Sequence, residues 1–325
     1  MSKSVAAGRG FVTSADIVVA STIIFFNFLS VFFNFVTLIV IYRIRTFHNS
    51  FGAFCAARSI SECVIGVIFC FMVSPMILKQ PTAVPQSLLV VIALVVNYLS
   101  VICLVSHFTL SVNRFVAIYF PVRYNSLFTR GKTVAMILLM LLTAFLLHLL
   151  YLVDSCSLLA FSLQLYSFVN TDCALIHSED SLLADVIMNH FNRVVSVLFV
   201  AVDLLILAKI VAWLLKHMKS NRNTQVKRDI RFFVQTLSQN IFLIWATVIS
   251  IFCFRSTATI QMFFATQLVF MMSAAYNGMS IFIFNPDARA VLTCGYSLLH
   301  VASSSNNASQ KSPTNSISST RKFKF

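Results

Sequence analysis

The chain has 325 residues, of which 58% are hydrophobic and only 10% charged, with a mean hydropathy of +0.87 and a net charge of +14. Soluble domains contain roughly a quarter charged residues and slightly under half apolar ones, so this composition excludes an ordinary soluble domain and indicates a membrane protein. A strong positive charge is also typical of nucleic-acid-binding proteins. Here the basic residues form short runs beside apolar segments, so the lipid bilayer, and no nucleic acid, is the expected partner.

Apolar segments of membrane length follow one another along the chain, since a helix needs about 20 residues to cross the hydrocarbon core. The fifth is the least certain by composition, because Asp203 and Lys209 lie inside it. We predict an all-α membrane protein with a seven-transmembrane helix bundle, and the predicted spans are residues 17–42, 52–78, a third that starts near Gln86 and ends near 113, 133–153, about 190–216, 232–254 and about 260–284.

The distribution of Lys and Arg predicts the orientation of the bundle. These residues are frequent in the loops after spans one, three and five and in the tail, and the loop 154–189 contains none. Because cytoplasmic loops are enriched in Lys and Arg, we expect the N-terminus outside and the C-terminus in the cytoplasm. The corresponding domains are an extracellular segment 1–16, the seven-transmembrane domain 17–300 and a Ser-rich cytoplasmic tail 301–325 that is expected to be disordered.

The residues after the seventh span predict a short amphipathic helix on the inner leaflet. Cys294 within it is a candidate for lipidation.

In the predicted outer loop, Cys156 and Cys173 favour a disulfide within that loop, since the exterior is oxidising. Two free thiols are the alternative. No metal site is expected, because no Cys-x-x-Cys pair exists. No cofactor is expected either: a retinal Schiff base needs a lysine, and residues 260–284 contain none.

Four short motifs lie at the predicted cytoplasmic ends of the spans. The strongest runs from Asn113-Arg114-Phe115 through Pro121 to Tyr124. An arginine at the end of a span is costly unless it reaches the headgroups or finds a partner, so simple anchoring of the helix end is the alternative to a signalling role. The other motifs are His48–Gly52, Lys227–Thr236 with Gln239 one turn later, and Phe284-Asn285-Pro286 followed by Arg289.

In order and placement, these motifs resemble those of the nematode serpentine receptor class X (srx) chemoreceptors, a branch of the rhodopsin-like G-protein-coupled receptors. The resemblance covers roughly residues 20–295. It implies a multi-pass chemosensory receptor in the cell membrane, with sensory cilia as the location that the family suggests. Such a receptor binds a small external ligand and activates a heterotrimeric G protein. The residues it implies for G-protein coupling are Asn113, Arg114, Phe115, Lys227, Arg228 and Arg231.

The chain also departs from the common rhodopsin-like pattern. Asn113 stands where an acid usually precedes the arginine, and Arg289 stands where the motif after Asn285-Pro286 usually has tyrosine. The sixth span has no internal proline. The usual switching mechanism is therefore not assumed for this chain.

Polar residues inside the spans are candidates for switching or ligand binding. Arg58 and Glu62 are four residues apart and can form an ion pair on one helix face, with a structural or a switch role. Asn34 is expected to face inward and bond across helices. These three residues, with Asn285 and Pro286, form the predicted structural switch.

Two further residues are candidates for ligand contact. Asp203 could bind a cationic ligand or pair with Lys209 or Arg193, and Trp245 could act as a pivot beneath a ligand pocket.

The competing functional classes are a multi-pass transporter or ligand-gated channel, and a membrane enzyme. A transport path needs polar residues in a continuous line, which these scattered residues do not supply. An enzyme is not expected, because paired carboxylates, His-Glu-x-x-His and a Gly-rich phosphate loop are all missing from the sequence.

Overall fold

The computed structural model describes residues 8–153, 159–170, 183–217 and 263–285, and also Val234, Gln235, Ser238, Gln239, Ile241, Trp245, Ala288 and Arg289. Several predictions lie outside the described residues. They are the coupling residues Lys227, Arg228 and Arg231, the switch residue Pro286, the Cys156–Cys173 disulfide, Cys294 with its amphipathic helix, and the tail 301–325.

Helices make up almost all of the described chain. Five helical segments are long and apolar enough to cross a membrane, and they cover the first five predicted spans. The described positions of the sixth predicted span are helical as well. The helices are α1 (Ser14–Arg43), α2 (Ser50–Ile68), α3 (Ser74–Lys79), α4 (Gln86–Tyr119), α5 (Pro121–Leu127), α6 (Arg130–Val153), α7 (Leu183–His217) and α8 (Val269–Phe284).

Short segments of other helix types connect some of these helices. A 3-10 turn, Arg45–Phe47, precedes α2, and π-helical turns at Phe69–Val73 and Phe263–Leu268 precede α3 and α8. The first π turn has a local cause. Pro75 has no N–H to donate and its ring crowds the carbonyl four residues earlier, while the Ser74 hydroxyl donates to the Phe69 carbonyl at 2.9 Å. The second span therefore stays continuous from Ser50 to Lys79.

Two helix boundaries differ clearly from the sequence-based expectation. Helix α4 begins at Gln86 as predicted but continues to Tyr119, so Arg114 lies inside the helix. Helix α7 begins at Leu183, about two turns before the predicted start near 190. The predicted outer loop 154–189 is correspondingly shorter than expected.

The outer loop also contains a β-hairpin that the sequence analysis did not predict. Strands β1 (Leu159–Ser162) and β2 (Ser167–Asn170) pair antiparallel, with Phe161 opposite Phe168. The two rings contact edge to face at 5.4 Å between centroids, and both contact Phe69 of the first π turn. Because such aromatic cross-strand pairs stabilise short strands, the hairpin forms where its aromatic face packs onto the helices.

Helix α1 shows how the bundle is built for a lipid environment. Its large apolar side chains point outward: Phe25, Phe28, Phe32 and Phe35 are each more than half exposed. Its polar side chains point inward, and the buried ones include Asn27, Ser30, Asn34 and Thr37. A helix with an apolar exterior and a polar interior suits a bilayer, where polar groups must find partners within the protein.

Close contact between α1 and α8 depends on a glycine. A Cβ atom added at Gly278 would lie 2.7 Å from the Asn34 nitrogen and 2.7 Å from the Phe33 carbonyl carbon. The absence of a side chain lets Thr37 donate to the Gly278 carbonyl at 3.1 Å and Asn34 donate to the Ala274 carbonyl at 3.1 Å. Small residues at such crossings allow helix backbones to approach and bond directly.

We expect Gly278→Ala to lower the melting temperature of the purified protein in detergent, because the new methyl group meets backbone that cannot move aside. Overpacking of this kind costs about 1–3 kcal/mol. Gly131→Ala is the matched control, since nothing lies within 4 Å of a Cβ at Gly131 and alanine favours helix more than glycine does. Equal melting temperatures for the two variants would contradict the close contact.

Candidate functional site

The bundle has two ends that differ in their chemistry. The hairpin end carries the segment Gly8–Thr13, the turn at Gln80 and the β-hairpin. The basic end carries the ends of α1, α4 and α8 and the starts of α2 and α6. Its described basic residues include Arg43, Arg45, Arg114, Arg123, Arg130, Lys132 and Arg289. Between the two ends lies a buried network of polar side chains.

Glu62 of α2 is at the centre of this network. Its carboxylate oxygen Oε1 accepts a hydrogen bond from the Asn277 amide of α8 at 2.6 Å. The same amide nitrogen lies 3.3 Å from His107 Nε2 on α4. Glu62, His107 and Asn277 are all buried, with 2–4% of each residue exposed. The Asn277 amide thus links α8 to Glu62 of α2 and to His107 of α4, three helices that are far apart in the sequence.

Arg58, one turn before Glu62, approaches the same carboxylate. Its Nε lies 3.9 Å from Glu62 Oε1, and only 2% of its side chain is exposed. The structure therefore brings together the two residues whose spacing predicted an ion pair. A switch role for this pair stays a prediction.

Gln239 extends the network to the sixth predicted span. Its side-chain oxygen accepts from Arg58 Nη1 at 3.3 Å, and its amide donates to the Asn277 carbonyl at 3.1 Å and to the Ser280 hydroxyl. Gln235, one turn earlier, donates to the same hydroxyl at 3.4 Å. Both glutamines belong to the motif that opens this span, so the motif supplies contacts inside the bundle as well as the basic residues that precede it.

A small cavity of about 30 Å³ adjoins the network. Glu62, His107 and Asn277 line it, and its other lining residues are Ser100, Cys103, Leu104, Phe270, Ser273 and Ala274. A polar cavity of this size has room for one or two water molecules. It is too small for an odorant, so it does not by itself mark a ligand site.

Arg114 occupies the basic end of the network. It is 7% exposed, and its Cζ lies 5.0 Å from the centre of the Phe51 ring. Among the described residues, its Nε and Nη1 atoms have no hydrogen-bond partner. Both nitrogens are buried, and the aromatic ring below the guanidinium favours its positive charge.

The residues next to Arg114 have a packing role in the structure. The Asn113 amide donates to the Tyr124 hydroxyl at 3.3 Å, which ties α4 to α5. The Phe115 ring stacks on Tyr119 at 4.4 Å between centroids. The motif from Asn113 to Tyr124 therefore packs around Arg114.

Other predicted residues occupy different surroundings. Asn34 is fully buried and bonds to α8, as expected for an inward-facing asparagine. Asn285 lies at the C-terminal end of α8, where its Oδ1 accepts from the Ala288 N–H at 3.4 Å. Arg289 donates to the Ile283 carbonyl at 2.7 Å and so caps the same helix.

The two ligand candidates do not share a pocket in the described structure. Asp203 is buried, at 4% exposure, on the part of α7 that packs against α4. Trp245 is 59% exposed. A pivot role for Trp245 beneath a ligand pocket stays a prediction.

At the hairpin end, the structure shows a cluster that the sequence analysis missed. The buried carboxylate of Asp16 accepts from Arg9 Nη2 at 2.7 Å, from Gln80 Nε2 at 2.7 Å and from the Tyr166 hydroxyl at 2.6 Å. Its other oxygen accepts from the backbone N–H and the hydroxyl of Thr13. We call these five residues the outer clasp. The Thr13–Asp16 spacing of a capping box was the only sequence signal for it.

The outer clasp joins three separate segments of the chain, which are residues 9–16, the turn at Gln80 and the β-hairpin. Gln80 adopts a left-handed conformation at φ 42° and also donates to the Leu163 carbonyl of the hairpin turn at 3.1 Å. Burial raises the pKa of Tyr166, and its hydrogen bond to Asp16 raises it further, so the hydroxyl stays protonated as a donor. The hairpin is thereby fastened to α1 and to the turn after α3.

Removal of the Asp16 charge should loosen the hairpin end. In Asp16→Asn the amide keeps the shape but places donors against the donors of Arg9, Gln80 and Tyr166. Leaving such buried groups unsatisfied costs about 1–3 kcal/mol, so we expect a lower melting temperature and faster proteolysis of the hairpin. Lys79→Gln, which removes an exposed charge beside Gln80, is the control. An unchanged cleavage rate in Asp16→Asn would show that the clasp does not hold the hairpin.

A bundle of long apolar helices with an apolar exterior and a buried polar interior defines a multi-pass membrane protein. The family model described as serpentine type 7TM GPCR chemoreceptor Srx matches residues 24–285 of the chain. The chain therefore belongs to this family of G-protein-coupled chemoreceptors, which confirms the family that the motifs predicted. The family is one of receptors and not of enzymes. No curated protein matches the chain.

Proposed function

We propose that this receptor binds a small external ligand and activates a heterotrimeric G protein in chemosensory signalling. The N-terminus and the hairpin end face outside, and the basic end faces the cytoplasm. Family membership supports signalling of this class, and the excess of Lys and Arg in alternate loops supports the orientation.

One observation carries the assignment of the coupling surface. Arg114 is buried at the basic end with Nε and Nη1 unbonded among the described residues. Leaving buried donors unsatisfied costs stability, and a receptor gains from that cost when a partner satisfies the donors. Arg114, Asn113 and Phe115 then form the floor of the G-protein site. Lys227, Arg228 and Arg231 complete the proposed site from the segment before the sixth span.

The polar network offers a route for the signal from one end of the bundle to the other. Through Glu62, Asn277 and Gln239 it contacts α2, α8 and the sixth span at one level. A ligand changes the balance between two arrangements of these helices only if it binds one arrangement more tightly. We propose that the active arrangement moves the sixth span away from Arg58 and exposes Arg114.

The test is ligand-evoked nucleotide exchange on purified G proteins, with the receptor in nanodiscs and pools of small volatile and water-soluble compounds as ligands. We expect Arg114→Ala to reduce the evoked rate at least about tenfold, equivalent to about 1.4 kcal/mol, with normal surface expression. Arg123→Ala, which removes an exposed arginine from the same end, should leave the rate nearly unchanged. Failure of every pool to stimulate any G protein through the unaltered receptor would overturn the proposal.

The proposed orientation is tested with epitope tags in intact cells. An N-terminal tag should bind antibody without permeabilisation, and a C-terminal tag should bind only after it, because the positively charged loops stay in the cytoplasm. Carrying both tags on one receptor makes each tag the control for the other. The opposite pattern would place the basic end outside and exclude G-protein coupling through Arg114.

A further inference from the structure

The outer clasp contains a cation that comes from the chain's own N-terminal segment. Arg9 Nη2 lies 2.7 Å from Asp16 Oδ1 and 3.1 Å from the Tyr166 hydroxyl oxygen. Asp16 and Tyr166 are buried, whereas 29% of the Arg9 side chain is exposed. A single positively charged nitrogen on a side chain that solvent contacts therefore satisfies a buried carboxylate.

Arg9 uses only part of its guanidinium in this contact. An arginine pairs best with a carboxylate through two parallel N–H groups. Here Thr13 occupies the second oxygen, Asp16 Oδ2, with its backbone N–H at 2.7 Å and its hydroxyl at 2.6 Å. Arg9 Nε is buried and has no hydrogen-bond partner in the described part of the chain. The position suits one cationic nitrogen better than a planar fork.

The backbone is held in an unfavourable conformation at two residues that surround this position. Gln80 and Tyr166 are the non-glycine residues with positive φ in the described part of the chain, at 42° and 51°. Such conformations cost free energy and persist where other contacts stabilise them. Both side chains donate to Asp16 Oδ1, at 2.7 Å and 2.6 Å. The fold thus places fixed polar groups around one oxygen of the carboxylate.

The Arg9 side chain belongs to a segment whose backbone is held separately. The Gly8 N–H donates to the Pro81 carbonyl at 2.9 Å, and the Gly10 N–H donates to the Gln80 carbonyl at 2.8 Å. Rotation of the Arg9 side chain toward solvent breaks neither of these backbone bonds. A cation from outside therefore competes with one tethered side chain and not with a folded element.

We propose that the position between Asp16 and Tyr166 is a recognition site for a protonated primary amine, which Arg9 occupies as a built-in competitor. The ammonium nitrogen replaces Arg9 Nη2 and donates one N–H to Asp16 Oδ1 and one to the Tyr166 oxygen. The inference rests on the proposed function for the side of the membrane, because an external ligand reaches this site only if the hairpin end faces outside.

The surroundings define the class of amine further. Phe11, two residues after Arg9, is 63% exposed, and Leu165, next to Tyr166, is 38% exposed. Apolar side chains beside a charged site favour a ligand that combines a charge with apolar carbon, because covering that carbon is favourable. A quaternary ammonium has no N–H and cannot donate to either oxygen. The expected ligand is a primary amine with a short apolar tail.

Tyr166 connects this site to the bundle. Its hydroxyl contacts Asp16, and its ring contacts Phe263 of the second π turn edge to face, at 6.2 Å between centroids. Helix α8 follows this turn and carries Asn277, which donates to Glu62. A ligand that replaces Arg9 at the Tyr166 hydroxyl thus acts on a side chain that packs against the start of this helix.

Thermal stability in nanodiscs tests the site without any G protein. The probe is n-butylammonium near neutral pH, where an alkylamine carries its proton as lysine does. Arg9→Ala should melt at a lower temperature than the unaltered receptor, and the probe should raise that temperature by a few degrees in a saturable way. The unaltered receptor should need a probe concentration at least about tenfold higher, because the tethered arginine competes for the site.

Matched controls separate this site from general effects. Lys79→Ala removes an exposed cation from the same end and should respond as the unaltered receptor does. Neither n-butanol, which has the tail without the charge, nor butyltrimethylammonium, which has the charge without N–H groups, should stabilise Arg9→Ala. Asp16→Asn added to Arg9→Ala should abolish the effect of n-butylammonium. Equal stabilisation by the three probes, or none by n-butylammonium, would overturn the site.

Folding and signalling complete the test. If Arg9→Ala yields no folded receptor, production with n-butylammonium should recover it and n-butanol should not; no recovery would contradict the proposal. If n-butylammonium stabilises Arg9→Ala but no compound pool stimulates any G protein, the site stands and the proposed function fails. If other pools stimulate nucleotide exchange and n-butylammonium stabilises neither receptor, the proposed function stands and the amine site fails.

Discussion

The hydrogen bond from Asn277 to Glu62 is the contact on which the arrangement of the helices depends. Lipid is as apolar as the outer faces of the helices, so apolar contact alone does not determine how each helix is rotated. A buried carboxylate does, because it requires donors inside the protein. Asn277 donates to Oε1 of this carboxylate, Arg58 Nε lies 3.9 Å from the same oxygen, and Gln239 in turn binds the backbone of Asn277. Each of these helices must present one particular face to the centre.

The same constraint explains both ends of the bundle. At the hairpin end, the Asp16 carboxylate collects donors from the N-terminal segment, from Gln80 and from the hairpin. At the basic end, Arg114 is a buried donor whose needs are only partly met by the described residues. The Asp16 carboxylate thus has several donors at the hairpin end, whereas Nε and Nη1 of Arg114 have no acceptor in the described part of the chain. This difference fits the proposed function, in which the basic end changes its contacts while the rest of the fold is preserved.

Hydropathy predicted the positions of the membrane helices well, because the free energy of placing about 20 apolar residues in lipid is a local property of the sequence. The start of α4 at Gln86 agrees with the prediction. Contacts between residues that are distant in the sequence could not be predicted in this way. Asn277 and Glu62 are separated by 215 positions, and no periodicity relates them. The outer clasp was missed for the same reason. The hairpin was missed because two strands of four residues have too little alternation to separate them from a loop.

The position of the Asn-Pro motif shows why a familiar motif should be tested against geometry. Asn285 caps the end of α8 and contacts the backbone of Ala288, whereas the asparagine that reaches the carboxylate of the second span is Asn277, two turns earlier. Gly278 follows it and provides the close approach to α1 that lets Asn34 bond to Ala274. The central contact therefore comes from Asn277 and the neighbouring Gly278, and Asn285 caps the end of α8.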